Sequence, residues 1–251
     1  MSNDGRGRVR VEHGAKRVRV VFGGKVVADT IRPLLVWEIP YYPAYYIPRE
    51  DFVPDALVPS ANTYHSPSRG DGKLSTVRVD EREAVDAALE YEDSPIEELH
   101  GHIRLDFEAM DSWFEEDEEI FVHPRDPHTR VDILASSRHV RIEIDGVTVA
   151  DTHSPRLLFE TGLPTRYYLP KTDIRLDLLE PSDTVTHCPY KGSAEYYSVR
   201  VGDELHRDIV WYYRTPLPES QKVQGLVCFY DEKVDVFVDD VKQERPKTKF
   251  A

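Results

Sequence analysis

Val140-Arg141-Ile142-Glu143-Ile144-Asp145-Gly146-Val147-Thr148-Val149-Ala150-Asp151-Thr152 is the stretch that decides the fold. Apolar and polar side chains alternate as far as Ile144, so an extended strand here has one apolar face and one polar face. Asp145-Gly146 then supplies two residues that tolerate positive φ, which a two-residue hairpin turn requires. Residues 147–150 return as the partner strand.

The same pattern occurs 122 residues earlier. Val18-Arg19 stands beside Val140-Arg141, Gly23-Gly24 takes the place of Asp145-Gly146, and Val27-Ala28-Asp29-Thr30 repeats residues 149–152. Further along, Glu38 meets Glu160, Tyr45-Tyr46 meets Tyr167-Tyr168, His65 meets His187 and Gly70 meets Gly192. Residues 16–79 and 138–201 share 24 identities in 64 ungapped positions, where unrelated sequences of ordinary composition would share about 4. A repeat this long implies two folded domains, not a solenoid. After position 79 the copies drift, and Gly101-His102-Ile103 aligns with Gly225-Leu226-Val227 only after a two-residue shift. The acidic, proline-bearing junction at His123-Pro124-Arg125-Asp126-Pro127 places the boundary so that residues 1–126 form the first β module and 127–251 the second.

The fold class expected is therefore all-β, with few short helices. Further strands are expected at 156–159, 166–169, 193–201, 208–213, 225–230 and 234–238. Helical pieces are expected at 94–99, 109–117 and 218–224. The run 115–119 lacks the glycine and alternating ligands of a calcium loop and reads as a solvated linker or helix start.

Composition narrows the function classes. The formal net charge is −14, which argues against a nucleic-acid backbone or an anionic membrane as the main partner, since both require basic patches. No stretch approaches the length of a membrane span, the N-terminus lacks a signal-peptide core, and two cysteines make no disulfide framework. A cytoplasmic location is the expectation. The oligomeric state is left open.

The segment richest in chemistry is His187-Cys188-Pro189-Tyr190-Lys191-Gly192. A thiol becomes a nucleophile when a nearby cation lowers its pKa, and Lys191 lies three residues from Cys188. Pro189 and Gly192 favour a turn. Two readings stand: a reactive cluster, or a structural turn with Cys188 as a small filler. Glu160, in an apolar strand, needs a partner or a function, because an unpaired buried carboxylate is costly; it is either a scaffold contact shared with Glu38 or an acid, base or anchor. Tyr167, Tyr168, Tyr196, Tyr197, Trp211, Tyr212 and Tyr213 are core by default, although hydroxyls near Arg166 and Lys191 suit a planar or anionic molecule. Cys188, Cys228, His187 and His206 lack the paired spacing of a structural zinc site, so neither metal nor cofactor is expected. The first copy departs at this segment: Ser66 replaces Cys188, Ser68 replaces Tyr190 and Arg69 replaces Lys191.

These residues also carry a resemblance. Arg138-His139-Val140-Arg141, Leu158-Phe159-Glu160-Thr161-Gly162-Leu163-Pro164, Arg166-Tyr167-Tyr168-Leu169-Pro170 and His187–Gly192 with Ala194 and Tyr196-Tyr197 resemble the domain of unknown function 427 family. The junction from Trp113-Phe114 to Pro127 is similar to that of its two-copy members. The resemblance covers roughly residues 16–250 and implies a β-tent fold, shared with zinc-binding and small-molecule-binding relatives whose zinc-ligand cysteine pairs this chain lacks. The family also carries a nucleotidyltransferase-like label, but no Gly-Ser pair followed by spaced aspartates supports it here.

The function expected is small-molecule binding in the second domain. Catalytic candidates are Cys188, Lys191, Glu160 and His187; ligand-binding candidates are Arg166, Tyr168, Tyr197 and Trp211. The competing expectation is a non-catalytic interaction module with aromatic-rich β surfaces.

Overall fold

Alternation in the sequence becomes strand through most of the chain. In the computed structural model, which describes residues 9–248, two compact units meet between Asp126 and Pro127. The strands of the first unit are β1 (Arg10–His13), β2 (Val18–Phe22), β3 (Lys25–Thr30), β4 (Leu34–Trp37), β5 (Ala44–Pro48), β6 (Leu57–Ser66), β7 (Gly70–Val79), β8 (Arg82–Glu90), β9 (His102–Leu105), β10 (Ser112–Glu115) and β11 (Glu118–Ile120). Those of the second are β12 (Val131–Ala135), β13 (Val140–Ile144), β14 (Val147–Thr152), β15 (Arg156–Glu160), β16 (Arg166–Leu169), β17 (Leu179–Cys188), β18 (Gly192–Val201), β19 (Glu204–Tyr213), β20 (Val227–Phe229), β21 (Asp235–Val238) and β22 (Val241–Lys242).

Each unit builds one seven-stranded and one four-stranded antiparallel sheet. The orders are β1-β4-β5-β9-β8-β7-β6 and β11-β10-β2-β3 in the first unit, and β12-β15-β16-β20-β19-β18-β17 and β14-β13-β21-β22 in the second. Strand for strand these are the same topology, so the chain is all-β with two tandem β-tent-like domains. Gly23-Gly24 and Asp145-Gly146 occupy equivalent turns, with φ of 60° and 72° in one and 50° and 78° in the other. The two-residue shift is also real: Ile103 pairs with Ile47 on β5, and Val227 pairs with Leu169 on β16.

The main core of each unit lies between its two sheets. In the second unit Val140, Ile142 and Ile144 of the small sheet pack with Leu169, Val199, Val210 and Phe229 of the large one. Burying each such side chain contributes about 1.5–3 kcal/mol. The outer face of the large sheet carries a second buried cluster, with Leu34, Val36, Tyr46, Leu89, Tyr91 and Leu99 in the first unit and Ile133, Leu158, Tyr168, Tyr196, Trp211 and Tyr213 in the second.

The helical expectations need correction. Residues 109–117 contain strand β10, because Trp113 and Glu115 alternate inward and the backbone pairs with β2. The run 115–119 is a β10–β11 hairpin, and its Glu115 is buried, accepting a hydrogen bond from Tyr45 Oη at 2.8 Å. Segments 94–99 and 218–224 hold only 3-10 turns, Glu97–Leu99 and Pro218–Val223. Three strands of the second unit, β12, β17 and β22, lie outside the expected ranges. In β17, Pro181 falls beside an irregularity in the ladder, a position where proline is tolerated.

Candidate functional site

Strand alternation sorts the candidate residues onto two faces of the second unit's large sheet. Tyr168, Tyr196, Trp211 and Cys228 lie on the outer face, as does Arg166, two residues before Tyr168 on β16. Glu160 follows on β15, two residues beyond outward-facing Leu158. Cys188 ends β17 opposite Gly192, which lies two residues from the outward-facing Ala194 on β18 and so on the same face.

The β17–β18 turn carries Lys191 to Glu160, although four strands separate β15 from β17 in the sheet. Lys191 Nζ donates to Glu160 Oε2 at 2.5 Å, with the two side chains 11% and 8% exposed. Removing one partner of such a pair leaves an uncompensated buried charge, a cost of about 3–5 kcal/mol. Within the turn, Lys191 N donates to Cys188 O at 3.3 Å. Cys188 is a half-buried free thiol, whereas Cys228 is a free thiol fully buried. Burial pushes the Cys228 thiol and the Tyr168 and Tyr213 hydroxyls well up; charge on Cys188 adds to the effect at both tyrosines, and Glu160 adds to it at Tyr213. Glu160, Lys191, Cys188 and Tyr213 thus form one neighbourhood.

A second outer-face group is centred on Arg166. Its guanidinium donates to both Glu232 carboxylate oxygens, at 2.8 and 2.6 Å, lies 3.5 Å from Asp231 and sits over the Trp211 ring at 5.6 Å. Trp211 Nε1 donates to Tyr168 Oη at 3.1 Å. Tyr168 and Trp211 are 1% and 7% exposed, so both are primarily core. Neither Asp231 nor Glu232 was singled out from the sequence. The signal was there, however: an arginine in an apolar strand requires a buried carboxylate.

His187 and Tyr197 are not brought to this face. His187 neighbours Cys188 on one strand and therefore points the other way; its Nδ1 lies 2.9 Å from Ser193 Oγ, on an exposed edge. Tyr197 stacks on Tyr212 on the opposite face from Tyr168, and its hydroxyl accepts a hydrogen bond from Lys171.

The first unit shows the duplicated locus with a fuller set of charges. There Glu38 accepts from Tyr46 Oη at 2.6 Å and is flanked by Arg104 at 3.4 Å and Arg69 at 3.9 Å. Arg69 is itself buried and bonded to Tyr91 Oη. Strand register puts Cys228 of the second unit where Arg104 stands in the first. Among the described residues, Glu160 therefore faces one cation where Glu38 faces two.

For metal binding, the described residues hold one group of three ligand-type atoms within 4.8 Å of one another: Asp145, Glu204 and His206. It contains neither cysteine and not His187. No helix among the described residues is long and apolar enough to cross a membrane.

Comparison with known proteins follows the same division of the chain. No curated protein matches the sequence. One family model matches twice, over residues 10–116 and 132–240, and its description is a domain of unknown function, number 427. Each match falls within one unit and stops short of its last strand, and together they cover most of the chain. This protein therefore belongs to the domain of unknown function 427 family, as a member with two copies of the domain.

Proposed function

We propose that the second unit binds a small molecule at the group formed by Cys188, Lys191 and Glu160, with the Cys188 thiol as its reactive atom. One observation carries this reading. The duplicated locus gathers Glu38, Tyr46 and two arginines, Arg69 and Arg104, in the first unit, whereas in the second it has lost one cation and gained a half-buried thiol. A thiolate held near an ammonium group is a nucleophile, and a planar or anionic molecule suits the Lys191 side of the group. Arg166, Tyr168 and Trp211 lie on the same face of the sheet as this group. An interaction module built on exposed aromatic strands is the weaker reading, because the outer-face rings are packed as core.

The test is the pH dependence of Cys188 alkylation by iodoacetamide, with Cys228 silent because it is buried. Lys191→Ala is expected to raise the titration midpoint, since it removes a cation and leaves the Glu160 carboxylate uncompensated; both changes disfavour the thiolate. Glu160→Gln is expected to lower it. Midpoints unchanged in both variants would overturn the shared site.

A further inference from the structure

The duplication exposes a second difference, away from Cys188. In the first unit one end of the sandwich is plugged by aromatic rings: Tyr42 stacks on His123 at 3.8 Å and Phe107 on Trp113 at 5.0 Å. In the second unit Pro164 stands where Tyr42 does. Val236 replaces Trp113, because these residues pair with the equivalent Ile142 and Val20. Asp231 replaces Phe107, because the preceding amides, Tyr230 N and Asp106 N, donate to the equivalent carbonyls of Ile209 and Ala87. Three aromatic rings have thus become a proline, a valine and a carboxylate.

The space this leaves is a cleft of about 180 Å³, lined by Tyr167, Asp231, Val234, Val236, Glu244 and Pro246 among others, with no lysine or arginine among the described residues of its wall. An apolar cavity of about 150 Å³ takes up one benzene ring, so this cleft has room for a ring-sized guest. Asp231 is 5% exposed. Its cationic neighbour Arg166 spends both terminal nitrogens on Glu232 and reaches Asp231 only at 3.5 Å. Asp231 therefore shares its cation with Glu232, and a low-dielectric wall strengthens its attraction for any further cation that enters. The Tyr167 ring offers a further surface to a cation.

We propose that this cleft is a binding site for a small organic cation, an ammonium group carried on an apolar body about one ring in size. The site is independent of Cys188, so failure of one reading leaves the other standing. The groups facing Asp231 are Arg166 and Glu232, with Cys228, Tyr167 and Glu244 close by. Burial pushes the Asp231 carboxyl up to about 7, with Glu232 adding to the rise and Arg166 opposing it. A cationic guest favours the carboxylate, so binding releases a proton near neutral pH and strengthens as pH rises.

The experiment is calorimetric titration of the full chain with benzylammonium chloride, using benzyl alcohol as the neutral match. At pH 8 the cation is expected to bind with a Kd on the order of 1 mM, a modest yield for its size. The alcohol is expected to bind at least about tenfold more weakly, and the preference to shrink at pH 6. Asp231→Asn should remove the preference while retaining the fold, because it deletes a costly charge. Filling the cleft with Pro164→Tyr should weaken both ligands. Equal binding of cation and alcohol, undiminished binding by the Asp231→Asn variant, or no saturable binding of benzylammonium at pH 8 would each overturn the proposal.

Discussion

At Arg166 three charges meet almost out of reach of solvent, and the two carboxylates respond to pH in opposite senses. Burial pushes Glu232 up, but hydrogen bonds from Arg166 and Thr248 outweigh it and hold the carboxyl below its usual range. Glu232 thus contributes stability above its unfolded pKa that is lost as pH falls through the folded one. Asp231, raised to about 7, does the reverse: relative to the unfolded chain it binds an extra proton between about pH 4 and 7, so its contribution falls as pH climbs through that window. Denaturant titrations of Asp231→Asn are therefore expected to show a gain over the parent that is small at pH 4 and grows to as much as about 4 kcal/mol by pH 8. A gain independent of pH would assign the raised carboxyl elsewhere. Sequence reading reached only part of this neighbourhood. Cys188, Lys191 and Glu160 were legible because a turn signal, a cation and a misplaced carboxylate each announce themselves locally. Asp231-Glu232 was not, because Tyr230-Asp231-Glu232-Lys233 looks like an exposed turn until Arg166 claims its partner. His187 and Tyr197 were grouped with residues that strand alternation sends to the other face.

The elements repeat down to their irregularities. Ladder shifts occur at Val20/Val21 and Ile142/Glu143, at Pro59/Thr63 and Pro181/Val185, and at Ser75/Val77 and Tyr197/Val199. Asp86 and Asp208 both take positive φ, 55° and 52°, and their amides donate to Thr76 Oγ1 and Ser198 Oγ. A one-residue slip would send every inward side chain outward, and such bulges pin the register. The hairpin turns were readable because glycine and Asp-Gly mark them; β10 was not, because four residues of alternation are outweighed by a run of acids. The β2–β3 turn gives a graded test. A Cβ at Gly23 would meet Val79 at 2.9 Å, whereas one at Gly24 would meet nothing within 4 Å. Both glycines have positive φ, so Gly24→Ala is expected to cost about 1 kcal/mol from backbone strain alone and Gly23→Ala measurably more. Equal losses in thermal unfolding would show that Val79 moves aside freely.

In the whole molecule, two sets of sheets with separate cores imply that each unit carries enough information to fold. The segment Pro127–Ala251, expressed alone, is expected to show a β-sheet circular-dichroism spectrum and one cooperative melt; a spectrum without ordered structure would make the units interdependent. Likeness between the units also has a cost. In each, a late strand returns to close the first hairpin, β10 onto β2 and β21 onto β13, and each closure places an arginine over a phenylalanine, Arg19 over Phe114 and Arg141 over Phe237. A strand from one copy therefore finds much of its proper partner in the other. Charge pairs at the hairpin ends tell the copies apart: Lys16 and Arg19 meet Glu115 and Asp117, while Arg138 meets Asp239. Vectorial synthesis removes most of the ambiguity, since β11 ends at Ile120 before β13 begins at Val140 and N-terminal domains fold first as the chain emerges. A chain released from denaturant has no such head start, and both hairpins then compete for both closing strands, the setting in which copies within one chain misassemble into each other.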